Sequence, residues 1–164
     1  AGEFVTPQQM TGEPLAERLP PLVPESALVG EDWAAKTIDA TAELAREFSQ
    51  EKQHETREVF TGERPLMHPA WTAGWAENLL RHNFAVPSSM HTRSRVQHLA
   101  PIATGQRVTG GAHLLEAYDR RAHHFANFDV LLRGEDDTDL ARLRHWTVFR
   151  IATPEERAAA DSQT

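Results

Sequence analysis

Two carboxylate–imidazole pairs in the first half of the chain have the residue types that move protons in enzymes. Glu63 and His68 lie in the segment FTGERPLMHP, with four residues between them. Glu51 and His54 lie earlier, in QEKQHE, and are three positions apart. A carboxylate and an imidazole held side by side can take a proton from water and return it to a substrate. These four residues are therefore the candidate acid/base groups.

The segment after His68 is predicted to form a buried helix. Pro69 suits the first turn of a helix, because its missing N–H costs nothing there. Trp71, Trp75 and Leu79 recur every four residues, which marks one helical face, and alanine and glycine fill much of the remainder. A helix that is apolar nearly all round is buried. His68 is the strongest single candidate, since the free N–H groups at a helix start can bind an oxygen anion.

Each candidate also has a structural interpretation. His68 can serve as a helix cap and packing residue instead of a catalyst. Glu63 can be a solvated loop charge. Glu51 and His54 lie in the charged stretch 50–62, and such runs usually form a solvated surface. The residue types and their spacing leave these alternatives open.

Strand-like alternation dominates the second half of the chain. The predicted strands are Met90–Leu99, Arg107–Tyr118, His124–Arg133 and Ala141–Ile151, preceded by a short strand Trp33–Ile38 and a short helix from Thr41 to about Gln50, capped by Asp39 or Thr41. A phase slip near Glu116 predicts a β-bulge. Gly110 and Gly111 indicate a bulge or a close approach of another group. His145 falls on the apolar face of its strand and is predicted to be a hydrogen-bonded core residue.

This order of elements predicts an α+β domain, with a long antiparallel sheet curled around a central buried helix at about residues 68–84. Residues 1–30 contain prolines 7, 14, 20, 21 and 24 and are predicted to form an extended arm that wraps the domain. Its first four residues are interpreted as a cloning remnant. The domain is expected to span residues 31–152, and residues 153–164 are expected to form a solvated, frayed tail.

Composition narrows the function classes. The chain has 164 residues, no cysteine and a formal net charge of −7. This acidity disfavours nucleic-acid binding. No apolar run is long enough to span a bilayer, and the N-terminal region lacks the features of a signal peptide. We therefore expect a soluble cytoplasmic protein. No ligand spacing of a zinc site is present, and no G-x-S-x-G motif predicts a serine nucleophile.

Four segments together resemble the hot-dog superfamily, in particular its MaoC-like branch of acyl dehydratases and (R)-specific enoyl-CoA hydratases. The segments are PLMHPAWTAGWAENLL, MHTRSRVQHLAPIATGQRV, YDRRAHHFANFDVLL and RLRHWTVFRI. The resemblance runs from about Gly30 to Ile151. It implies a hot-dog domain that binds an acyl-CoA, or another pantetheine thioester, in a tunnel beside the central helix at a dimer interface. It implies no cofactor besides the coenzyme A of the substrate. Independently, long strands with a polar outer face often continue their sheet across a two-fold axis, so a homodimer or higher even oligomer is expected.

The same resemblance implies an Asp-x4-His pair, in a D-x-N-P-x-H setting, just after the first short helix. This chain has SQEKQHETREVF there, without the Asp or the Asn-Pro. The first hypothesis is a hydratase or dehydratase in which His68 acts with Glu63, with Glu51 and His54 as the rival pair. A thioesterase is the nearest enzymatic alternative. The alternative from another class is a catalytically silent subunit that binds acyl-CoA or partners an active homologue.

Three further residues are candidates for substrate binding. Trp71 is predicted mainly as core, but it lies on the helix that would border the thioester tunnel. Arg93 and Arg95 alternate along the first long strand. Arginine forks match the geometry of phosphate groups, so these two side chains are the candidates for the phosphates of coenzyme A.

Overall fold

The computed structural model describes residues 2–12 and 17–163. Its strands are β1 Lys36–Ala40, β2 Met90–His98, β3 Gln106–Arg120, β4 His123–Arg133 and β5 Asp139–Arg150. Its helices are α1 Ala42–Glu47, α2 Glu58–Thr61, α3 Pro69–Ala73, α4 Trp75–Asn83 and α5 Pro154–Asp161, with a π-helical turn, Phe48–Lys52, after α1. The four predicted long strands are confirmed, and their ends differ from the prediction by at most two residues.

The strands form one antiparallel sheet in the order β1-β3-β4-β5-β2. The register between β3 and β4 shifts between Leu114 and Glu116, which confirms the predicted bulge. One face of the sheet packs on the central helix, and Phe128, Val130 and Leu143 are buried there. The predicted α+β arrangement of a long antiparallel sheet around a central helix is confirmed.

The first strand begins later than predicted. Trp33 does contact β3, because its N–H donates to the carbonyl of Ala112. The next N–H, of Ala34, donates instead to the side chain of Asn83 on α4 at 2.8 Å. This bond interrupts the ladder, so β1 starts at Lys36 rather than at Trp33.

The central helix consists of α3 and α4, joined at Gly74. Trp71, Trp75 and Leu79 are all buried, as their spacing predicted. A close approach is confirmed at Gly110 of β3, where a Cβ atom would lie 2.7 Å from the indole ring of Trp75. Glycine at this position therefore lets the largest side chain of the helix pack directly on the sheet.

Thr41, one of the two residues predicted to cap the first helix, is its N-cap. The Thr41 hydroxyl accepts a hydrogen bond from the Leu44 N–H at 3.1 Å. After Glu47 the chain continues into the π-helical turn. The following residues form a loop and the short helix α2, where the sequence predicted only a loop or frayed helix end. This segment carries Glu55 towards the start of the central helix.

The arm contacts the face of the sheet opposite the central helix. The Val5 N–H donates to Asp129 of β4 at 2.6 Å, and the Gln9 N–H donates to Asp32 at 2.8 Å. Asp129 is fully buried and pairs through two hydrogen bonds with Arg144 of β5. Part of the predicted arm, residues 13–16 with Pro14, and also Ala1 lie outside the described residues.

The C-terminal segment forms α5 instead of a frayed tail. Thr153 and Glu156 form a reciprocal capping box, and Pro154 occupies the first turn. The prediction of a frayed tail overlooked this capping box. Its hydrogen bonds satisfy N–H groups at the start of the helix and so reduce fraying there. None of the helix residues is buried, so the segment is solvated as expected.

Candidate functional site

His68 caps the start of α3. Its Nδ1 accepts a hydrogen bond from the Ala70 N–H at 3.1 Å. Its Nε2 lies 3.6 Å from Oε2 of Glu55, and the His68 side chain is 16% exposed. The ring of Phe60 packs beside it with centroids 5.0 Å apart. Because Nδ1 accepts, a neutral His68 carries its proton on Nε2, on the side that faces Glu55.

Glu55 approaches His68 from the loop after the π-helical turn. Arg57 binds both of its oxygens, with Nε 2.9 Å from Oε1 and Nη2 2.7 Å from Oε2. The side-chain bond from Arg57 is the largest of the effects that lower the pKa of Glu55 to about 2. Glu55 is therefore ionised at neutral pH.

The structure gives His68 a different carboxylate from the two that the sequence suggested. Glu63 is exposed, and no hydrogen bond or ion pair joins it to His68 in the described ranges. Glu51 and His54 are also exposed, and His54 has a left-handed backbone with φ of 51°. Among the residues of the two predicted pairs, His68 is the one whose side chain has both a backbone hydrogen bond and a nearby carboxylate.

The predicted substrate-binding residues lie on opposite sides of the sheet. Trp71 is buried in the central helix and packs edge-on against Trp75, with ring centroids 5.5 Å apart. Arg93 and Arg95 are exposed on the side that carries the arm. Arg93 lies over the ring of Trp146, and Arg95 over the ring of Phe4. The fold therefore does not bring Trp71 together with the two arginines.

A second polar group lies between the central helix and the β5–β2 edge of the sheet. We call it the Glu77–His145 cluster, and it comprises Glu77, Ser89, His91, Ser94 and His145. His145 Nε2 lies 2.9 Å from Glu77 Oε1, and His145 Nδ1 lies 3.3 Å from Ser94 Oγ. Ser94 Oγ also lies 2.9 Å from His91 Nε2. Ser89 Oγ donates to the other oxygen of Glu77 at 2.8 Å.

The cluster reaches from the interior to the surface. His145 is 1% exposed, which confirms the prediction of a hydrogen-bonded core histidine. His91 is exposed and stacks on the His145 ring, with centroids 4.7 Å apart. Burial, the largest effect, raises the pKa of Glu77, but the hydrogen bonds from His145 and Ser89 and the charges of His145 and Arg81 outweigh it and lower that pKa.

Sequence reasoning missed Glu55 and Glu77 for different reasons. Glu55 lies in the charged stretch that was interpreted as a solvated surface, and its two bonds to Arg57 depend on the turn after the π-helix. Glu77 carried a usable signal, because it is a carboxylate within an otherwise strongly apolar helix. Its partner His145 lies 68 positions away, so no spacing rule connects the two.

An apolar cavity of about 620 Å³ lies beyond the C-terminal end of α4. Its lining includes Leu22, Val86, Ser88, Tyr118, His124 and Phe149. At its polar rim, the His124 imidazole is hydrogen-bonded to Asp119. The cavity and His68 lie at opposite ends of the central helix. Phe149 belongs to the same strand face as His145, four residues further along β5.

Two other classes of site are absent from residues 2–12 and 17–163. No group of three or more histidine, aspartate or glutamate side chains in these ranges is arranged to hold a metal ion. None of the helices described there combines the length and hydrophobicity that crossing a bilayer requires.

Comparison with known proteins gives no match by sequence and clear matches by structure. No family profile matches the chain, and no curated protein matches it significantly. The (R)-hydratase from A. caviae involved in PHA biosynthesis superposes with a TM-score of 0.61 at 16% identity, covering 77% of this chain and 99% of that one. The MaoC-like dehydratase from Rhodospirillum rubrum gives 0.56 at 15%, covering 79% and 97%.

A third match, a Staphylococcus aureus protein in complex with CoA, has a TM-score of 0.52 at 15% identity and covers 84% of this chain and 85% of that one. At such identities the likeness establishes the fold. At the level of the fold, these matches confirm the predicted resemblance to the MaoC-like branch. The chain has the hot-dog fold, which MaoC-like dehydratases and (R)-hydratases also adopt.

Proposed function

We propose that this protein binds an acyl thioester, such as an acyl-CoA, beside its central helix without hydrating it. The observation that supports this is the state of His68. Its Nδ1 is occupied by the Ala70 N–H, and its Nε2 faces the ionised Glu55. Addition of water to an enoyl thioester needs a base with a free lone pair. The hydrogen bond from the Ala70 N–H to Nδ1 of His68 would have to break before this nitrogen could accept a proton.

In this arrangement His68 is suited to positioning a ligand. Its Nε2–H is a donor at the start of a buried helix, where the N–H groups favour an electronegative atom. A thioester oxygen placed there would accept a hydrogen bond from that donor. Such a role agrees with the missing D-x-N-P-x-H motif and with the chain's likeness to hydratases and to a CoA-bound protein.

Hydration or dehydration of an acyl thioester is the second candidate function. The proximity of Glu55 to His68 favours it, because a carboxylate beside an imidazole stabilises the imidazolium that forms when His68 accepts a proton. In that case ligand binding would have to displace the Ala70 N–H from Nδ1. Glu55 would then hold the ring, and His68 would exchange the proton.

One experiment separates the two candidates. The purified protein is mixed with crotonyl-CoA, and loss of the enoyl-thioester absorbance is followed beside the melting temperature. We expect no hydration and a higher melting temperature, because a ligand that binds only the folded state stabilises it. His68→Ala should reduce the shift, whereas His54→Ala, at an exposed position, should leave it unchanged. Hydration that is lost in His68→Ala and in Glu55→Gln would establish the second candidate instead.

A further inference from the structure

The Glu77–His145 cluster has the connectivity of a nucleophilic relay. A hydroxyl, Ser94, touches one nitrogen of an imidazole, and the other nitrogen of the same imidazole touches a carboxylate, Glu77. This is the general arrangement in which a base activates a hydroxyl and a third group orients the base. The geometry points to Ser94 as an acyl-accepting nucleophile, with His145 as its base and Glu77 as the orienting group, for hydrolysis of acyl esters or thioesters.

The hydrogen bond with Glu77 selects the tautomer of a neutral His145. Glu77 accepts the Nε2–H of His145, since a carboxylate has only acceptors. Nδ1 of a neutral His145 is then left with a lone pair, which faces the Ser94 hydroxyl. Ser89 donates to the second oxygen of Glu77 and so fixes the carboxylate. The imidazole is therefore held in the tautomer that removes a proton from Ser94.

The proposed reaction balances without a co-reactant other than water. Ser94 Oγ attacks the carbonyl carbon, and its proton passes to Nδ1 of His145. The C–S or C–O bond to the leaving group breaks, and the leaving thiol or alcohol takes that proton. Water then attacks the Ser94 ester, giving the free carboxylic acid and restoring the hydroxyl. This inference goes beyond the binding proposed above, because it assigns a covalent step to different residues.

The position of the cluster suggests which acyl groups would react. Phe149, in the lining of the 620 Å³ cavity, lies four residues from His145 on the same strand face. At the rise of an extended strand this separation is about 13 Å. Ser88, which also lines the cavity, is the neighbour of Ser89 in the cluster. An apolar chain of medium length lying along β5 would extend from Ser94 towards the cavity.

Ser94 lies beside the solvent-exposed part of the cluster. Ser94 is half-buried, whereas His91 is exposed and within hydrogen-bond distance of the same hydroxyl. When Ser94 becomes acylated it can no longer donate a proton. His91 Nε2, in the tautomer that carries its proton there, would then donate to the new ester. The charged and titratable groups facing the relay are Glu77, His91 and His145, with Arg81 bonded to Ser89.

The test uses the full chain with p-nitrophenyl octanoate, p-nitrophenyl acetate and octanoyl-CoA. We expect hydrolysis with a preference for the octanoyl substrates, and a loss of at least about 100-fold in Ser94→Ala. A serine-directed fluorophosphonate should label Ser94, located by mass spectrometry of proteolytic peptides. Glu77→Gln should reduce kcat with little change in KM, because it orients the base instead of touching the substrate. Ser162→Ala, at the exposed C-cap of α5, serves as the matched serine control.

Circular dichroism and melting temperature show whether each variant folds, and labelling of the wild type does not depend on any variant. Absence of a Ser94 adduct, or hydrolysis by Ser94→Ala at the wild-type rate, would overturn the assignment. The two proposals fail separately. A non-hydrolysable acyl-CoA thioether that raises the melting temperature in the absence of hydrolysis would uphold binding alone. Hydrolysis of the p-nitrophenyl esters without such a shift would uphold the relay alone.

Discussion

At the scale of single residues, the environment of an ionisable group decides its role more than its identity does. His68 and His145 are both imidazoles beside a glutamate, yet their free lone pairs differ. The cap at Ala70 occupies Nδ1 of His68, whereas Nδ1 of His145 faces a hydroxyl. The first ring is therefore arranged to donate a hydrogen bond, and the second to accept a proton.

The lowered pKa of Glu77 predicts a dependence of stability on pH. Its carboxylate has a lower pKa in the folded than in the unfolded state, where the value is near 4.5. The stabilisation is thus fully present above about pH 4.5 and is lost as the pH falls through the folded value. Glu77→Gln should lower the free energy of unfolding by about 1–2 kcal/mol at pH 7. The difference from wild type should shrink below pH 4.5.

Urea denaturation at pH 7 and at pH 3.5 measures this difference, with the exposed Glu25→Gln as control. A difference between wild type and Glu77→Gln that stays constant between the two pH values would contradict the proposed ionisation of Glu77.

Gly110 in the helix–sheet contact and Gly74 at the junction of α3 and α4 should respond in opposite directions to alanine. In Gly110→Ala the new Cβ would lie 2.7 Å from the Trp75 ring, and overpacking of this kind costs about 1–3 kcal/mol. At Gly74 the nearest atom would be 3.6 Å away and φ is −73°, so Gly74→Ala should gain about 0.5–1 kcal/mol. Thermal and urea unfolding of both variants test the signs, and equal effects would refute the packing described here.

At the scale of elements, a buried ion pair joins neighbouring strands and the arm. Asp129 of β4 and Arg144 of β5 are register partners, and the Arg144 side chain is only 8% exposed. Asp129 also accepts the Val5 N–H, while Arg144 donates to the carbonyl of Glu3. The pair thus provides hydrogen-bond partners for backbone groups of the arm, on the face of the sheet away from the central helix.

Removing one member of this pair should lower the free energy of unfolding far more than removing both. Arg144→Met leaves Asp129 buried without a cation, and such losses amount to about 3–5 kcal/mol. The double variant Asp129→Leu with Arg144→Met should recover a large part of that loss, since no unpaired charge remains. A double-mutant cycle by urea denaturation measures the coupling. Arg107→Met, at an exposed ion pair with Glu135, is the control and should change stability much less.

At the scale of the whole molecule, the two edges of the sheet differ. Outside β1, the arm forms a parallel bridge between Gly12 and Ala35. Outside β2, no strand or bridge is found within the described ranges, although β2 is nine residues long. Long unpaired edges invite pairing with another chain, and a two-fold axis lets a strand pair with its own copy.

We expect the protein to form a dimer through β2. Met90 and Leu99, at the two ends of this edge, are 53% and 43% exposed and would lose contact with water in such a dimer. Met90→Glu combined with Leu99→Glu should shift the equilibrium towards monomer, measured by light scattering coupled to gel filtration. Leu28→Glu, 52% exposed and away from β2, is the control and should leave the mass unchanged. A monomeric wild type at high protein concentration would contradict the prediction.

The sequence by itself determined the local architecture of this protein. The four-residue spacing of Trp71, Trp75 and Leu79 predicted the buried helix, and the alternation in residues 90–151 predicted the strands. The phase slip near Glu116 was predicted from the same alternation, and Thr41 was one of the two predicted caps of the first helix. Backbone geometry converts periodicity along the chain directly into one face of an element. The capping box of α5 was equally local and could have been recognised.

The tertiary structure alone decided which polar groups meet. Glu77 and His145 are neighbours because α4 packs across β5, and Ser94 joins them because β2 pairs with β5 in that register. Glu55 reaches His68 because a π-helical turn redirects the chain after α1. A register shift of one residue would turn Ser94 to the other face of the sheet. Contacts between distant segments depend on packing and register, which no spacing within the sequence specifies.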